Sequence, residues 1–237
     1  MCLTGALCVT LAAVTGTRTV FDGIPAFLAD GNGPGVVVLH EWWGLVPHIQ
    51  DVCERLAAVG FTALAPDLYR GVWAANDDPD EADRLMKGLD RQGAVADAVA
   101  AVAELRRRGC DKIGTLGFCT GGAVSLAASA VSPVDATVSY YGIWPHSGER
   151  DITNPVLVHV AEHEDYNPLV TPAQFPRWFT GMANVQLHIY RGTQHAFFND
   201  TRPDLYDQAA ARLSWDRTMQ FFAEHLGWPD PLFRHGS

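Results

Sequence analysis

Short apolar segments alternate with longer segments of helical spacing along most of the chain. The first two apolar segments are GVVVL at 35–39 and FTALA at 61–65. Continuous apolar runs of this kind are typical of strands buried on both faces of a parallel sheet. Between them, apolar residues recur three and four positions apart from His48 until Gly60, which is the spacing of an amphipathic helix. The pattern therefore predicts strand, helix and strand over 35–65.

The same alternation continues toward the carboxyl end of the chain. We expect further strands at 112–118, 136–140, 155–161 and 185–190, with helices at about 93–108, 121–129, 171–182 and 203–226. Repeated strand–helix units fold into a mostly parallel sheet that helices cover on both faces. The predicted fold class is therefore α/β with a doubly wound sheet. Because no linker or internal repeat is visible, residues 1–237 are predicted to form a single domain.

One polar segment interrupts the alternation. Residues 70–92 (RGVWAANDDPDEADRLMKGLDRQ) are polar and irregular in pattern. Long connections of this kind often carry function in compact domains, for instance as active-site lids. We therefore expect an irregular, lid-like excursion at about 70–92.

Composition and charge narrow the possible partners. The chain has 237 residues, 48% of them hydrophobic, and a formal net charge of −10 at pH 7. This negative charge disfavours nucleic acid or an anionic membrane as the main partner. No apolar run reaches the roughly 20 residues of a membrane-spanning helix. We expect a small-molecule substrate and a chain that acts as a monomer or a small homo-oligomer.

The cysteines and the amino-terminal residues indicate in which cellular compartment the protein is expected. The chain has five cysteines and no C-x-x-C pair, which disfavours a disulfide scaffold or a structural zinc site. A reducing, cytoplasmic location is therefore expected. The opening MCLTGALCVTLAAV resembles a weak signal sequence, but no Lys or Arg precedes Arg18 and no clean cleavage site follows. We expect it to be retained as a strand or tail.

A candidate nucleophile lies where the predicted strand at 112–118 meets the next helix. Residues 117–121 read G-x-C-x-G, the nucleophile-elbow pattern with cysteine in place of serine. A helix amino terminus favours the reactive thiolate of Cys119, and the backbone N–H of Thr120 is placed to stabilise an oxyanion. The alternative is a buried cysteine beside a glycine-rich turn, as in nucleotide-binding folds.

Two later strands end in the other residue types of a catalytic triad. The strand at 155–161 leads into Glu162-His163-Glu164-Asp165, and the strand at 185–190 leads to His195. The order nucleophile, acid, histidine is that of α/β hydrolases. His195 is therefore the predicted base for Cys119, and either Glu164 or Asp165 is predicted to hold its tautomer.

The segment His40-Glu41-Trp42-Trp43-Gly44 follows the GVVVL strand directly. Gly44 stands where the zinc motif H-E-x-x-H needs its second histidine, so zinc binding is excluded. In α/β hydrolases the loop at this place supplies the second oxyanion N–H, here predicted from Trp42. Glu41 is expected near Cys119, where a carboxylate can tune the thiol. The alternative for Glu41 is an ordinary ion pair at the sheet edge.

These stretches together resemble the dienelactone hydrolase family. The resemblance spans about residues 35–222, and its segments are VVVLHEWWGL, APDLYRG, GFCTGG, HVAEHEDYNP, GTQHAFFNDTRP and YDQAAARLSWDRTMQFF. It implies an α/β-hydrolase fold that uses no metal or organic cofactor and a cysteine triad that opens a lactone by acyl transfer. It also implies that Cys119 is the nucleophile, that His195 is the base and that Glu41 holds the resting cysteine.

The resemblance fails at two places in the site. The acid of the family lies four residues before a proline, and counting back from Pro168 selects Glu164, with Asp165 as its rival. The family's arginine four residues after the histidine, which helps bind the substrate carboxylate, is Asn199 here.

Other arginines can replace that carboxylate-binding side chain. The candidates are Arg202 and, in the excursion, Arg70 or Arg84, each of which is otherwise a solvated surface residue. Tryptophans such as Trp43 are expected to wall an apolar pocket, unless they serve only core packing.

The sequence therefore predicts a carboxylic-ester or lactone hydrolase with a cysteine nucleophile. Two alternatives remain open on the same fold. The first is a non-hydrolytic thiol protein, either a redox sensor or a ligand binder, which needs a reactive Cys119 but not His195. The second is a broad carboxylesterase or thioesterase that uses the same residues.

Overall fold

The computed structural model describes residues 15–142, 144, 151–164, 171 and 173–227. Within these residues, strands form one eight-stranded sheet in the order β1-β2-β4-β3-β5-β6-β7-β8. The strands are β1 (Thr17–Phe21), β2 (Ile24–Ala29), β3 (Gly35–Leu39), β4 (Thr62–Pro66), β5 (Ile113–Phe118), β6 (Ala136–Tyr140), β7 (Val156–His163) and β8 (Val185–Gln194). The strands from β3 onward pair in parallel, and β2 pairs antiparallel with both of its neighbours.

Helices cover both faces of the sheet, which confirms the predicted doubly wound α/β class. They are α1 (Pro47–Ala58), α2 (Pro79–Gly88), α3 (Arg91–Arg107), α4 (Thr120–Val131), α5 (Phe175–Trp178) and α6 (Gln208–Leu226). Apolar side chains of α1 and α6 share one core cluster, and those of α3 and α4 share another. Among the described residues, no helix is both long and apolar enough to cross a membrane.

The order of the central strands determines where a ligand can bind. β3 lies between β4 and β5, and all five of its residues are buried. The chain proceeds from β3 outward to one side through β4 and then returns to the other side at β5. In open α/β sheets, ligands bind at such a switch point, outside the carboxyl ends of the strands. Both HEWWG, after β3, and Cys119, after β5, lie at this edge.

Several predicted boundaries are wrong. The excursion at 70–92 is not irregular throughout, because it contains α2, whose first turn is capped by the side chain of Asp78 accepting from Glu81 N at 3.1 Å. The helix predicted at 171–182 is reduced to the single turn of α5, and the helix predicted from 203 begins only at Gln208. The strand predicted at 185–190 extends to Gln194. The hairpin of β1 and β2 was not predicted. The predicted amino-terminal strand or tail at 1–14 lies outside the described residues.

Candidate active site

The backbone at Cys119 has the geometry of a tight elbow between β5 and α4. Cys119 has φ +52° and ψ −120°, a conformation that costs free energy for any residue with a Cβ. Glycines on both sides allow the turn. A Cβ on Gly117 would lie 2.0 Å from Gly121 O, and a Cβ on Gly121 would lie 2.2 Å from Leu39 O. The G-x-C-x-G spacing therefore reflects a turn so tight that no side chain fits at either glycine.

A second contact holds the elbow against the neighbouring strand. The N–H of Cys119 donates to Tyr140 O at 3.0 Å, at the end of β6. Gly142 then passes so close that a Cβ there would lie 1.9 Å from Cys119 O. The position of the thiol is therefore determined by β5, α4 and the segment after β6 together.

The predicted base and its predicted acid lie next to each other, directly after the ends of β8 and β7. Nδ1 of His195 and Oε1 of Glu164 form a short hydrogen bond, and both residues are buried. The N–H of His195 also donates to His163 O at 3.1 Å, which fixes the backbone that carries the imidazole. Glu164 therefore occupies the position predicted for the triad acid. Its rival Asp165 lies outside the described residues.

His195 also interacts with Cys119 by charge and by a side-chain hydrogen bond. Burial alone would lower the pKa of His195, but the Cys119 sulfur and the Glu164 carboxylate outweigh it and raise the pKa well above its usual value. The imidazole of His195 therefore retains its proton more readily than an isolated histidine does. The structure thus assembles Cys119, His195 and Glu164 in the order of a catalytic triad.

Glu41 is buried beside these residues, only 1% exposed. Burial raises the pKa of Glu41, while His48, His195 and, by its hydrogen bond, Asn199 act in the opposite direction. The amide of Asn199 donates to Oε1 of Glu41, and its own Oδ1 accepts from Thr201 Oγ1 at 2.6 Å. Asn199, which stands where the resemblance leads one to expect an arginine, therefore anchors Glu41.

A cavity of about 410 Å³ opens above Cys119. Both residues predicted to supply oxyanion N–H groups, Thr120 and Trp42, line it, together with Glu41, Glu164 and His195. Thr120 is the first residue of α4, where backbone N–H groups have no partner within the helix. Further lining residues are Trp43, Asp83, Met86, Arg91, Ala123, Tyr141, Gly142, Trp144, Ala196, Arg202 and Leu205.

The structure separates the predicted substrate-binding residues into two groups. Arg202 and Trp43 line the cavity, and the guanidinium of Arg202 lies 5.3 Å from the centre of the Trp43 ring. Arg202 also pairs with Asp204, at 2.8 Å, but unlike Arg84 it remains part of the lining of the cavity. Arg84 does not line it, because its side chain is exposed on α2 and pairs with Glu81 at 2.5 Å. Arg70 is likewise engaged elsewhere, with Asp97. The prediction that Arg84 contacts the substrate is therefore not supported by its position.

Two cavity residues were missed from the sequence. Arg91, at the start of α3, lines the cavity with its guanidinium 4.8 Å from the centre of the Trp144 ring. Tyr141, directly after β6, lines it beside His195. Neither residue belongs to a motif, and only the strand order brings them to Cys119. Arg91 and Arg202, the two arginines in the described part of the cavity lining, each stack on a tryptophan.

The sheet, the elbow and the residues at the strand ends define an enzyme of the α/β-hydrolase class. A family model described as "Dienelactone hydrolase family" matches residues 21–226. Because this match covers most of the chain, the protein belongs to the dienelactone hydrolase family, as the resemblance implied. It is a hydrolase that acts on ester or lactone bonds of small molecules.

Individual relatives agree with this assignment. "Protein usf" of Aquifex pyrophilus is 37% identical over 82% of this chain and 90% of its own length. A protein of Aquifex aeolicus named "Putative carboxymethylenebutenolidase" is 35% identical over 82% of this chain and 89% of its own length. Among solved structures, one titled "Putative Dienelactone Hydrolase" from Klebsiella pneumoniae has a TM-score of 0.72 at 27% identity, covering 88% of this chain and 98% of its own.

Proposed function

We propose that this hydrolase acts through Cys119 as a covalent nucleophile, with His195 as its base and Glu164 as the acid that orients the imidazole. The proposal rests on two connected contacts: buried Glu164 is hydrogen-bonded to buried His195, and His195 interacts with Cys119. Cys119 itself lies at the tight turn between β5 and α4, where its φ is positive. A nucleophile, a base within reach and a third group that orients the base are the features of acyl transfer sites.

In the acylation step, the thiolate of Cys119 attacks the carbonyl carbon of the ester or lactone, and His195 carries the former thiol proton. The carbonyl oxygen becomes an oxyanion, which the N–H groups of Thr120 and Trp42 stabilise. Collapse of this intermediate breaks the bond to the ester oxygen. His195 gives its proton to that oxygen, which leaves as an alcohol or enol.

In the deacylation step, water replaces the leaving group. His195 takes a proton from the water, whose oxygen attacks the thioester carbon. The second oxyanion occupies the same N–H groups, and its collapse releases the carboxylic acid and restores Cys119. Glu164 keeps the imidazole in the tautomer that both steps need.

Glu41 regulates the thiol in this scheme. A carboxylate beside a thiolate is repulsive unless one of them carries a proton. Because burial raises the pKa of Glu41, its carboxyl group retains a proton more readily than an exposed glutamate does. Asn199 binds this carboxyl group through a neutral amide. A neutral amide lowers the pKa of Glu41 less than a charged arginine would, so more of the increase caused by burial remains.

The substrate is proposed to be a small ester or lactone that bears a carboxylate. Tryptophan, methionine and leucine side chains supply apolar walls to a cavity of about 410 Å³, a volume that suits a small molecule. Arg91 and Arg202 add two cations to the lining. A guanidinium binds a carboxylate through paired hydrogen bonds, and a tryptophan beneath each one restricts its position. Arg202 already donates Nε and Nη2 to Asp204, at 3.1 and 2.8 Å, so a substrate carboxylate binds at Nη1 or competes with Asp204.

The test of the nucleophile is turnover of p-nitrophenyl acetate and of a dienelactone by the wild type and by Cys119→Ala. We expect Cys119→Ala to lose hydrolysis of both substrates. Cys110→Ala is the matched control, because that buried thiol lies far from the cavity lining and contacts Gly33 O. Equal rates for wild type and Cys119→Ala would refute the proposal, and so would equal losses in both variants.

The carboxylate preference is tested with pairs of esters that differ only in a free carboxylate. Arg91→Met and Arg202→Met are expected to raise KM for the carboxylate-bearing ester and to leave KM for its neutral partner nearly unchanged. Arg84→Met serves as the control, since its side chain pairs with Glu81 away from the cavity. Equal changes for both members of a pair would contradict a role in carboxylate binding.

We further propose that the protein works in the cytoplasm as one domain, either as a monomer or as a small homo-oligomer. The described cysteines Cys53, Cys110 and Cys119 are all free thiols, as a reducing compartment would keep them. Sedimentation of the purified chain measures the assembly state, and a large heterogeneous assembly would contradict it.

A further inference from the structure

Tyr141 carries a buried hydroxyl group that has no hydrogen-bond partner among the described residues. The residue is 3% exposed and lines the cavity above Cys119. Its neighbour Tyr140 provides a contrast, because the hydroxyl of Tyr140 is bonded to Thr218 Oγ1 at 2.9 Å. A buried hydroxyl without a partner is costly and therefore calls for an explanation.

The surrounding structure holds Tyr141 firmly in this position. Its backbone has φ +41°, a strained conformation, and its N–H donates to His159 O at 2.7 Å. The next residue, Gly142, is packed against Cys119 O. Residues kept in strained conformations are found preferentially at functional sites. The ring is therefore presented to the cavity by the same close approach that fixes the elbow.

The Tyr141 ring lies beside the proposed base. The centres of the Tyr141 and His195 rings are 4.9 Å apart, and Phe197 packs against Tyr141 from another side, at 5.5 Å. In the proposed mechanism, His195 must reach the ester oxygen that leaves during acylation. In that mechanism the carbonyl oxygen faces the N–H groups at the start of α4, which leaves the side of His195 and the neighbouring Tyr141 ring for the leaving oxygen.

We propose that Tyr141 is a catalytic residue whose hydroxyl donates a hydrogen bond to the leaving oxygen of the ester or lactone. This inference rests on the proposed Cys119 mechanism. The tyrosine keeps its proton throughout, and the proton that ends on the leaving oxygen comes from His195. The hydrogen bond stabilises negative charge as the bond from carbon to oxygen breaks, and the bound substrate supplies the partner that the hydroxyl lacks among the described residues.

The charge state of Tyr141 suits a hydrogen-bond donor. Burial, reinforced by Glu41 and Cys119, raises the pKa of Tyr141 well above its usual value. The hydroxyl is therefore protonated over the whole range in which the enzyme can act. Stabilising the leaving oxygen matters most for substrates whose leaving group is a strong base, such as an alkyl ester or a saturated lactone.

The test compares Tyr141→Phe with the wild type over a series of acetate esters with alcohol or phenol leaving groups of increasing pKa. The measured quantity is kcat/KM, which reports the steps through acylation. We expect Tyr141→Phe to lower kcat/KM about tenfold or more for alkyl acetates, and less than about threefold for p-nitrophenyl acetate. The dependence on leaving-group pKa should therefore become steeper.

Tyr69→Phe is the matched control. Tyr69 also has a buried hydroxyl without a described partner, but it packs against His40 and does not line the cavity. Its variant should keep the wild-type dependence on leaving-group pKa. An equal loss for every ester in Tyr141→Phe, or no loss for any, would overturn the role of Tyr141. Failure of the Cys119 mechanism is distinguished separately, because Cys119→Ala would then retain wild-type turnover.

Discussion

Nδ1 of His195 donates a hydrogen bond to Oε1 of Glu164, and the two residues come from the ends of adjacent strands, β8 and β7. β7 and β8 are parallel, so their carboxyl ends lie at the same edge of the sheet. The pairing of β7 with β8 therefore brings together two residues that are 31 positions apart in the sequence.

Glu164→Gln should lower kcat by about 100-fold to 10,000-fold, because an amide cannot hold the imidazole in the required tautomer. Asp165→Asn, the matched change at the next residue, should keep kcat within about twofold of the wild type, since Glu164 already fills the place beside His195. Ester turnover at saturating substrate measures both. The assignment of Glu164 fails if Asp165→Asn shows the larger loss.

The protonation of His195 is expected to depend on the sulfur of Cys119. Burial lowers the pKa of His195, and Cys119 and Glu164 together raise it above its usual value. In Cys119→Ala the largest raising influence is absent, so the imidazole should lose its proton at a lower pH than in the wild type. Nitrogen NMR of labelled histidine measures this titration, and a His195→Gln sample identifies the signal. An unchanged midpoint in Cys119→Ala would be inconsistent with the pairing.

Replacing Glu41 should change how stability depends on pH. Since burial raises the pKa of Glu41, the folded state binds this proton more tightly than the unfolded chain. The protonation of Glu41 therefore stabilises the folded state most at a pH below the pKa of Glu41 in the unfolded chain. This stabilisation declines as the pH rises toward the pKa of Glu41 in the folded protein, by at most about 1.4 kcal/mol per pH unit. Glutamine does not titrate, so Glu41→Gln does not lose this stabilisation as the pH rises. The free energy of unfolding of Glu41→Gln, compared with that of the wild type, should therefore increase from low to high pH.

Urea unfolding at pH 5 and pH 8 measures the effect of Glu41→Gln. Glu81→Gln is the control, because Glu81 is exposed and its hydrogen bond to Arg84 lowers its pKa, so that it is ionised in both states over this range. A difference between Glu41→Gln and the wild type that is the same at both pH values would show that Glu41 does not titrate abnormally.

The elbow glycines should tolerate no side chain. In Gly121→Ala the added Cβ would lie 2.2 Å from Leu39 O and 2.5 Å from His40 O, and backbone atoms cannot move aside as a flexible side chain can. We expect a loss of about 3 kcal/mol or more in the free energy of unfolding. Gly88→Ala, at an open position in α2, should be neutral or slightly stabilising. Similar stabilities for the two variants would contradict the described packing.

The sequence allows the central strands to be predicted but not the edge of the sheet. β3, β5 and β6 are buried on both faces, and each is a short segment of apolar and small residues without a charge, which is visible without any partner. β1 is largely exposed, and its pattern of TRTVF carries no such run. Its pairing with β2 depends on contacts that no local pattern encodes.

α2 shows a different reason for failure. The helix fully buries only Ala82, and its apolar stripe of Ala82, Leu85 and Met86 spans little more than one turn among many polar residues, so periodicity alone is a weak signal. Its start was nevertheless readable, because Asp78 followed by Pro79 and two acidic residues is a typical amino-terminal capping sequence. Composition suggested a loop, and the capping residues indicated a helix.

Some residues of the candidate site can likewise be predicted from the sequence, and others cannot. Cys119 and His195 follow strand ends in a known order, so the sequence singles them out, whereas it leaves Glu164 and Asp165 as rivals for the acid. Arg91 and the contact between Asn199 and Glu41 depend on residues that the fold brings together from distant segments. Such contacts are set by the strand order and by loop geometry, and neither can be read from one segment of sequence.

The most direct test of Cys119 as a covalent nucleophile is the mass of the enzyme during turnover. A slow ester is mixed with the wild type, the reaction is stopped with acid, and the peptide that contains Cys119 is weighed. The cysteine mechanism predicts that this peptide carries the acyl group as a thioester, and that Cys119→Ala carries none. An enzyme that turns over the ester while its acyl group is found on another residue, or on none at all in single-turnover samples, would contradict the cysteine mechanism.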